Sequence, residues 1–137
     1  MDNEKVVITA NELRLTDMSG KVRATLTATE NGAGLTFADE TGNSQLKITS
    51  SDAGLSVISM YDKAGVEKIG ISLDEKGTHV HLAGTGKQES YLFLKNSGAS
   101  GLVLTDSNGN RRLEAKVGPD AEPDITIYPK KGNPKKL

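Results

Sequence analysis

Leu35-Thr36-Phe37-Ala38-Asp39-Glu40-Thr41-Gly42-Asn43-Ser44-Gln45-Leu46-Lys47-Ile48 carries two alternating apolar pairs, Leu35/Phe37 and Leu46/Ile48, around an Asp-x-x-Gly turn. Alternation with period two over a short run marks a half-buried strand. Asp in the first turn position accepts hydrogen bonds from the backbone two residues on. Gly in the fourth supplies the left-handed conformation that closes a type I turn with a bulge. The stretch therefore reads strand, turn, strand.

The same anchor returns along the chain. Asp17…Gly20, Asp39…Gly42, Asp62…Gly65 and Asp106…Gly109 repeat it, Pro129…Gly132 degenerates it, and in the fourth unit Gly84 stands where the Asp is lost. Successive anchors lie 22 or 23 residues apart, which is the mark of a repeat array. Each anchor follows an apolar pair (Leu13/Leu15, Ile58/Met60, Val80/Leu82, Leu102/Leu104, Ile125/Ile127). A second pair comes after the Gly (Ala24/Leu26, Ile69/Ile71, Tyr91/Phe93, Leu113/Ala115). Further turns follow at Glu30-Asn31-Gly32, Ser51-Asp52-Ala53-Gly54, Glu75-Lys76-Gly77 and Asn96-Ser97-Gly98. No helical periodicity competes, so the expected class is all-β, in about six two-strand repeats.

Two architectures satisfy this pattern. A simple two-residue turn pairs Leu35 with Leu46 and lines both apolar pairs along one side of an antiparallel hairpin meander. A bulged turn opposes Asp39 with Asn43 and sends Leu46 and Ile48 to the other face. A β-solenoid, one coil per unit, is the alternative that buries both strands inward. The meander is the expected arrangement. Residues 1–128 read as one β-repeat domain and residues 129–137 as a basic C-terminal tail.

The first unit, Ile8-Thr9-Ala10-Asn11-Glu12-Leu13-Arg14-Leu15-Thr16-Asp17-Met18-Ser19-Gly20-Lys21-Val22-Arg23-Ala24-Thr25-Leu26, resembles the repeats of a loose group of uncharacterised bacterial proteins. Their units read apolar-x-apolar-x-Asp-x-x-Gly-Lys-x-Arg-Ala-x-Leu. The likeness extends over nearly the whole chain, although only this unit keeps the full ending. It implies a β-repeat fold and transfers no functional residue.

Composition narrows the function classes. Seventeen basic residues balance 18 acidic ones for a net charge of -1, so no global field favours nucleic acid or an anionic membrane. With no cysteine, disulfides, thiolate nucleophiles and cysteine-based zinc sites are excluded. Neither a signal peptide nor a membrane-spanning segment is expected, which leaves localisation open, cytoplasmic or particle-associated by default. Trp is absent and only two Phe and three Tyr are present, so the core must come from Leu, Ile and Val. So thin a core favours burial against a second copy of the chain.

Individual motifs add little chemistry. His79 and His81 share a strand face but lack a third ligand, so no metal is assigned. Asp106-Ser107-Asn108-Gly109-Asn110 places its Gly too early for a calcium loop. Gly84-Thr85-Gly86-Lys87 lacks the first Gly and the Ser/Thr of a phosphate loop. Carboxylates fall one per turn rather than converging, so neither catalytic residues nor cofactors are expected. Tyr91-Leu92-Phe93-Leu94 is apolar on both sides of one strand and is the candidate interface. The lysines and prolines of 129–137 suit the end of an edge strand. The expected function is a non-catalytic structural or self-assembly module, a homotrimer or a segment of a fibre. A carbohydrate- or ligand-binding module using the repeated turns is the alternative, an enzyme of unknown class a weaker one, and nucleic acid is disfavoured for want of an aromatic platform.

Overall fold

A computed structural model describes residues 7–137. The first three repeats form β1 (Glu12–Thr16), β2 (Val22–Thr29), β3 (Gly32–Ala38), β4 (Ser44–Ser51), β5 (Ser56–Tyr61) and β6 (Glu67–Asp74). The rest form β7 (Gly77–Ala83), β8 (Glu89–Lys95), β9 (Ser100–Thr105), β10 (Arg111–Val117), β11 (Asp124–Ile127) and the short β12 (Lys135–Lys136). They make one 12-stranded antiparallel sheet in sequence order, a hairpin meander with β1 and β12 at its edges. The sheet does not close into a barrel, and no solenoid coil is formed. Residues 129–137, expected as a tail, return to the sheet at their end: Lys135 and Lys136 pair with Ile127 and Thr126.

The Asp turns settle the question of faces in a way neither sequence alternative contained. Asp39 does oppose Asn43, its N–H donating to the Asn43 carbonyl at 2.9 Å, as a bulged turn requires. The ladder then slips once more: Ala38 pairs with Ser44 but Phe37 with Leu46, leaving Gln45 as an extra residue. This second irregularity cancels the flip, so Leu35 faces Ile48 and both apolar pairs share one side. Arg23, Lys68 and Arg112 are the extra residues of the first, third and fifth hairpins.

The fourth hairpin differs. It closes with the same reach, Gly84 N–H to the Gln88 carbonyl at 2.8 Å, but its ladder runs without a slip. Ser90 therefore opposes Leu82, and Leu92 opposes Val80. Tyr91 and Phe93, expected to continue the apolar wall, lie instead on the opposite face, while Leu92 and Leu94 take their place.

With that exchange, one face is apolar across the sheet. One cross-strand row runs Leu13, Leu26, Leu35, Ile48, Ile58 and Ile71, and continues through Val80, Leu92, Leu102, Ala115 and Ile125. Nothing lies over it. Apart from β9, every strand from β1 to β11 leaves at least one large apolar side chain on this face partly open, from Leu15 at 59% exposed to Ile125 and Ile127 at 38%, and Ala24 is the only buried hydrophobic residue among those described. A single layer has no interior, so this sheet has an apolar surface where a domain would have a core.

Candidate functional site

The turns come first, because they recur. Asp17 Oδ1 accepts the N–H groups of Ser19 and Lys21, and Asp39, Asp62 and Asp106 take the equivalent pairs two and four residues on, all at 2.9–3.1 Å. These bonds favour the ionised form. Asp106 is held down to about 2, chiefly by the Asn110 N–H and also by the Arg112 side chain. Asp17, Asp39 and Asp62 are lowered as well, led by the Ser19 hydroxyl, the Thr41 hydroxyl and the Val66 N–H respectively.

The extra residue of each slipped hairpin completes the turn. Arg23 lies 3.8 Å from Asp17, Lys68 3.4 Å from Asp62 and Arg112 2.5 Å from Asp106. Gln45 occupies that place uncharged. Two of these cations also reach the neighbouring turn: Lys68 donates to the Gly84 carbonyl at 3.1 Å and Arg112 to that of Tyr128 at 3.2 Å. The turn carboxylates are thus committed to local donors, and same-side turns two strands apart are about 10 Å from each other, too far to share one cation. Their role is to shape the turn.

The two histidines point to the polar face, each toward its own carboxylate. His79 Nε2 is 3.4 Å from Asp74 and His81 Nε2 is 3.6 Å from Glu89. No group of three metal-ligating side chains converges among the described residues.

The four candidate interface residues are divided by the strand. Leu92 and Leu94 join the apolar face, 52% and 58% exposed. Tyr91 and Phe93 join the polar face, where the Tyr91 hydroxyl hydrogen-bonds His79 Nδ1. Their rings stack at 5.7 Å between centroids, and Tyr91 and His79 do the same. Beside them opens a groove of about 840 Å³ that reaches from Gly86 and Lys87 to Glu114 and Lys116. Glu114, its side chain only 11% exposed, is paired with both Arg111 and Lys116. The Lys116 ammonium, with Arg111 beside it, lowers the Glu114 carboxyl below its ordinary range. Sequence reading missed this cluster: Glu114 and Lys116 share a side of β10 by alternation, but Arg111 joins them only through the slip at Arg112. The one local signal was Gly101 in mid-strand, where a strand interior ordinarily carries a side chain.

Compared with families of known proteins, the chain matches none, and no curated protein matches it.

Proposed function

We propose that this chain is a non-catalytic structural module that self-assembles, its apolar sheet face closed by the same face of further copies. The observation that carries the reading is the surface itself. The chain exposes 10291 Å², against about 6900 Å² for a compact folded monomer of this mass. The difference, about 3400 Å² per chain, is several times the roughly 800 Å² that a standard interface removes from each partner. That excess is shared by both faces and the turns, and the part on the apolar face is what further copies would cover, as a homotrimer or larger ring.

Lipid is a poorer cover. Two or three apolar side chains per strand make a band about 14–20 Å tall, short of the ~25 Å that a membrane-spanning barrel presents. Growth into a fibre by edge pairing is also opposed. β12 has only two residues, both lysine, next to Pro134, and β1 alternates Glu12 and Arg14 with its leucines. Short, charged and proline-flanked edges discourage strand addition. Face-to-face closure remains as the geometry with most surface to gain.

Light scattering coupled to size exclusion, at micromolar concentration, tests the proposal. A single species at three or more times 14.5 kDa is expected. A monodisperse monomer would refute it.

A further inference from the structure

The polar face offers a second surface, whose use does not depend on how the apolar face is covered. Across β2 to β5 its central row is Thr25, Thr36, Lys47 and Ser59. At β8 the unslipped hairpin puts Tyr91 and Phe93 there. Phe93 faces Gly101 across the ladder, and a Cβ at Gly101 would lie 2.7 Å from the Phe93 Cζ. The missing side chain lets the Phe93 ring settle onto β9, as aromatic residues do over strand glycines. Tyr91 and His79 extend the stack, giving a shelf of three rings across β7 and β8.

Charge is concentrated beside this shelf. Four cations, Lys87, Lys95, Arg111 and Lys116, line the 840 Å³ groove against two carboxylates, Glu89 and Glu114, in a chain whose net charge is -1. Arg111 and Lys116 are engaged by Glu114. Lys87 and Lys95 make no ion pair with any described residue. The Lys87 stem rests against the Gly109 turn, where a Cβ would come within 3.0 Å of its Cδ. The Lys95 ammonium stands 5.4 Å from the centre of the Phe93 ring. Past Tyr91 a smaller depression of about 390 Å³ continues toward β6, its charged and titratable lining being Glu67, Asp74, Lys76 and the two histidines.

We propose that this groove binds an acidic oligosaccharide. Its carboxylate-bearing unit lies against Phe93 with its anion near Lys95, at the opposite end of β8 from Lys87, and its neutral units run past Tyr91 toward Glu67. The C–H face of a sugar ring carries partial positive charge and suits the negative face of an aromatic ring. Carboxylates accept paired hydroxyls of neutral units, and an ammonium group takes the anion in a charge-assisted hydrogen bond. An open trough also fits a chain ligand better than an enclosed small molecule. A nucleic-acid strand fits less well, because its regularly spaced phosphates would meet Glu89, Glu67 and Asp74.

Isothermal titration of the full chain with a galacturonate tetrasaccharide, sialyllactose, lactose and an oligothymidylate provides the test. At least one acidic saccharide is expected to bind roughly tenfold more tightly than lactose, and to weaken as salt rises. Lys95→Gln and Phe93→Ala are each expected to lower that affinity roughly fivefold or more, with Thr25→Ala on the same face as a neutral control. Lys95 is exposed, so Lys95→Gln keeps the test valid if Phe93→Ala alters folding. Failure of every saccharide to bind at millimolar concentration would overturn the proposal. So would affinity unchanged in both variants, or tighter binding of the oligothymidylate.

Discussion

The hairpins around Asp106 and Gly84 share an outer N–H to carbonyl bond across four residues, at 2.9 and 2.8 Å, although inside it Gly109 donates to the Asp106 carbonyl in one and Gln88 to that of Thr85 in the other. Their outcomes are opposite. After Asp106 the ladder admits Arg112, and Leu113 lands on the same side as Leu104. After Gly84 nothing is admitted, Ser90 meets Leu82, and the aromatic residues emerge on the far face. The difference is one residue of register, and in a structure of period two that decides the face of a whole strand. Asp and cation occur together six residues apart, as Asp17/Arg23, Asp62/Lys68 and Asp106/Arg112, and in the fourth unit both are missing, Gly84 and Ser90 standing instead. Three of the four slips carry this ion pair, the second carrying Gln45 instead, and where no slip occurs Tyr91 and Phe93 turn to the polar side.

The largest effect should come from removing a slip outright. Deleting Gln45 leaves no extra residue in the second hairpin and turns Leu46 and Ile48 to the polar face. Loss of a cooperative melting transition by circular dichroism is expected. Gln45→Ala preserves the residue count and should cost about 1 kcal/mol or less in urea denaturation. Equal, mild effects of the two changes would break the comparison.

Next are the glycines that separate tight turns from open ones. At Gly77, φ is +139° and a Cβ would lie 2.1 Å from the Leu94 carbonyl oxygen. Gly77→Ala should therefore destabilise by about 3 kcal/mol or more. At Gly42, φ is +89° but a Cβ meets nothing within 4 Å. Gly42→Ala should cost only about 1–2 kcal/mol, the left-handed penalty alone. Urea denaturation at matched protein concentration ranks the two.

The smallest effect concerns the turn carboxylates. Asp106 has its pKa depressed to about 2, whereas in the unfolded chain it titrates near the ordinary aspartate value of 3.8. Between those limits the unfolded state binds more protons, so stability rises with pH. The contribution is complete above the unfolded value and disappears as pH falls through about 2. The melting temperature should fall on acidification from pH 4 toward 2, and Asp106→Asn should flatten that slope.

Much of this architecture is legible in the repeat. The anchors locate the hairpins, and the alternating pairs locate the strands. What the alternation does not contain is the phase between the two strands of a hairpin. In Gly42-Asn43-Ser44-Gln45-Leu46 every residue between the turn and Leu46 is small or polar, so either register satisfies the pattern. The basic residue six positions after Asp was the usable signal, since it marks the extra residue. The Tyr91–Leu94 run was recognisable as apolar on both sides, but its division between faces depends on the missing slip. The groove was less accessible still. Lys87, Phe93, Gly101 and Glu114 belong to three strands and a turn, and only pairing brings them together.

The central claim is that one face of this sheet is covered by other copies and the opposite face is not. A chain without cysteine permits a direct comparison at two adjacent residues of β4, Ile48 on the apolar face and Thr49 on the polar one. Both are exposed in the single chain, Ile48 at 40%. Single variants Ile48→Cys and Thr49→Cys, reacted with a thiol reagent under native conditions, report each face separately. The account predicts labelling at position 48 at least about tenfold slower than at position 49, with the difference abolished in denaturant. Equally rapid labelling at both positions would contradict it.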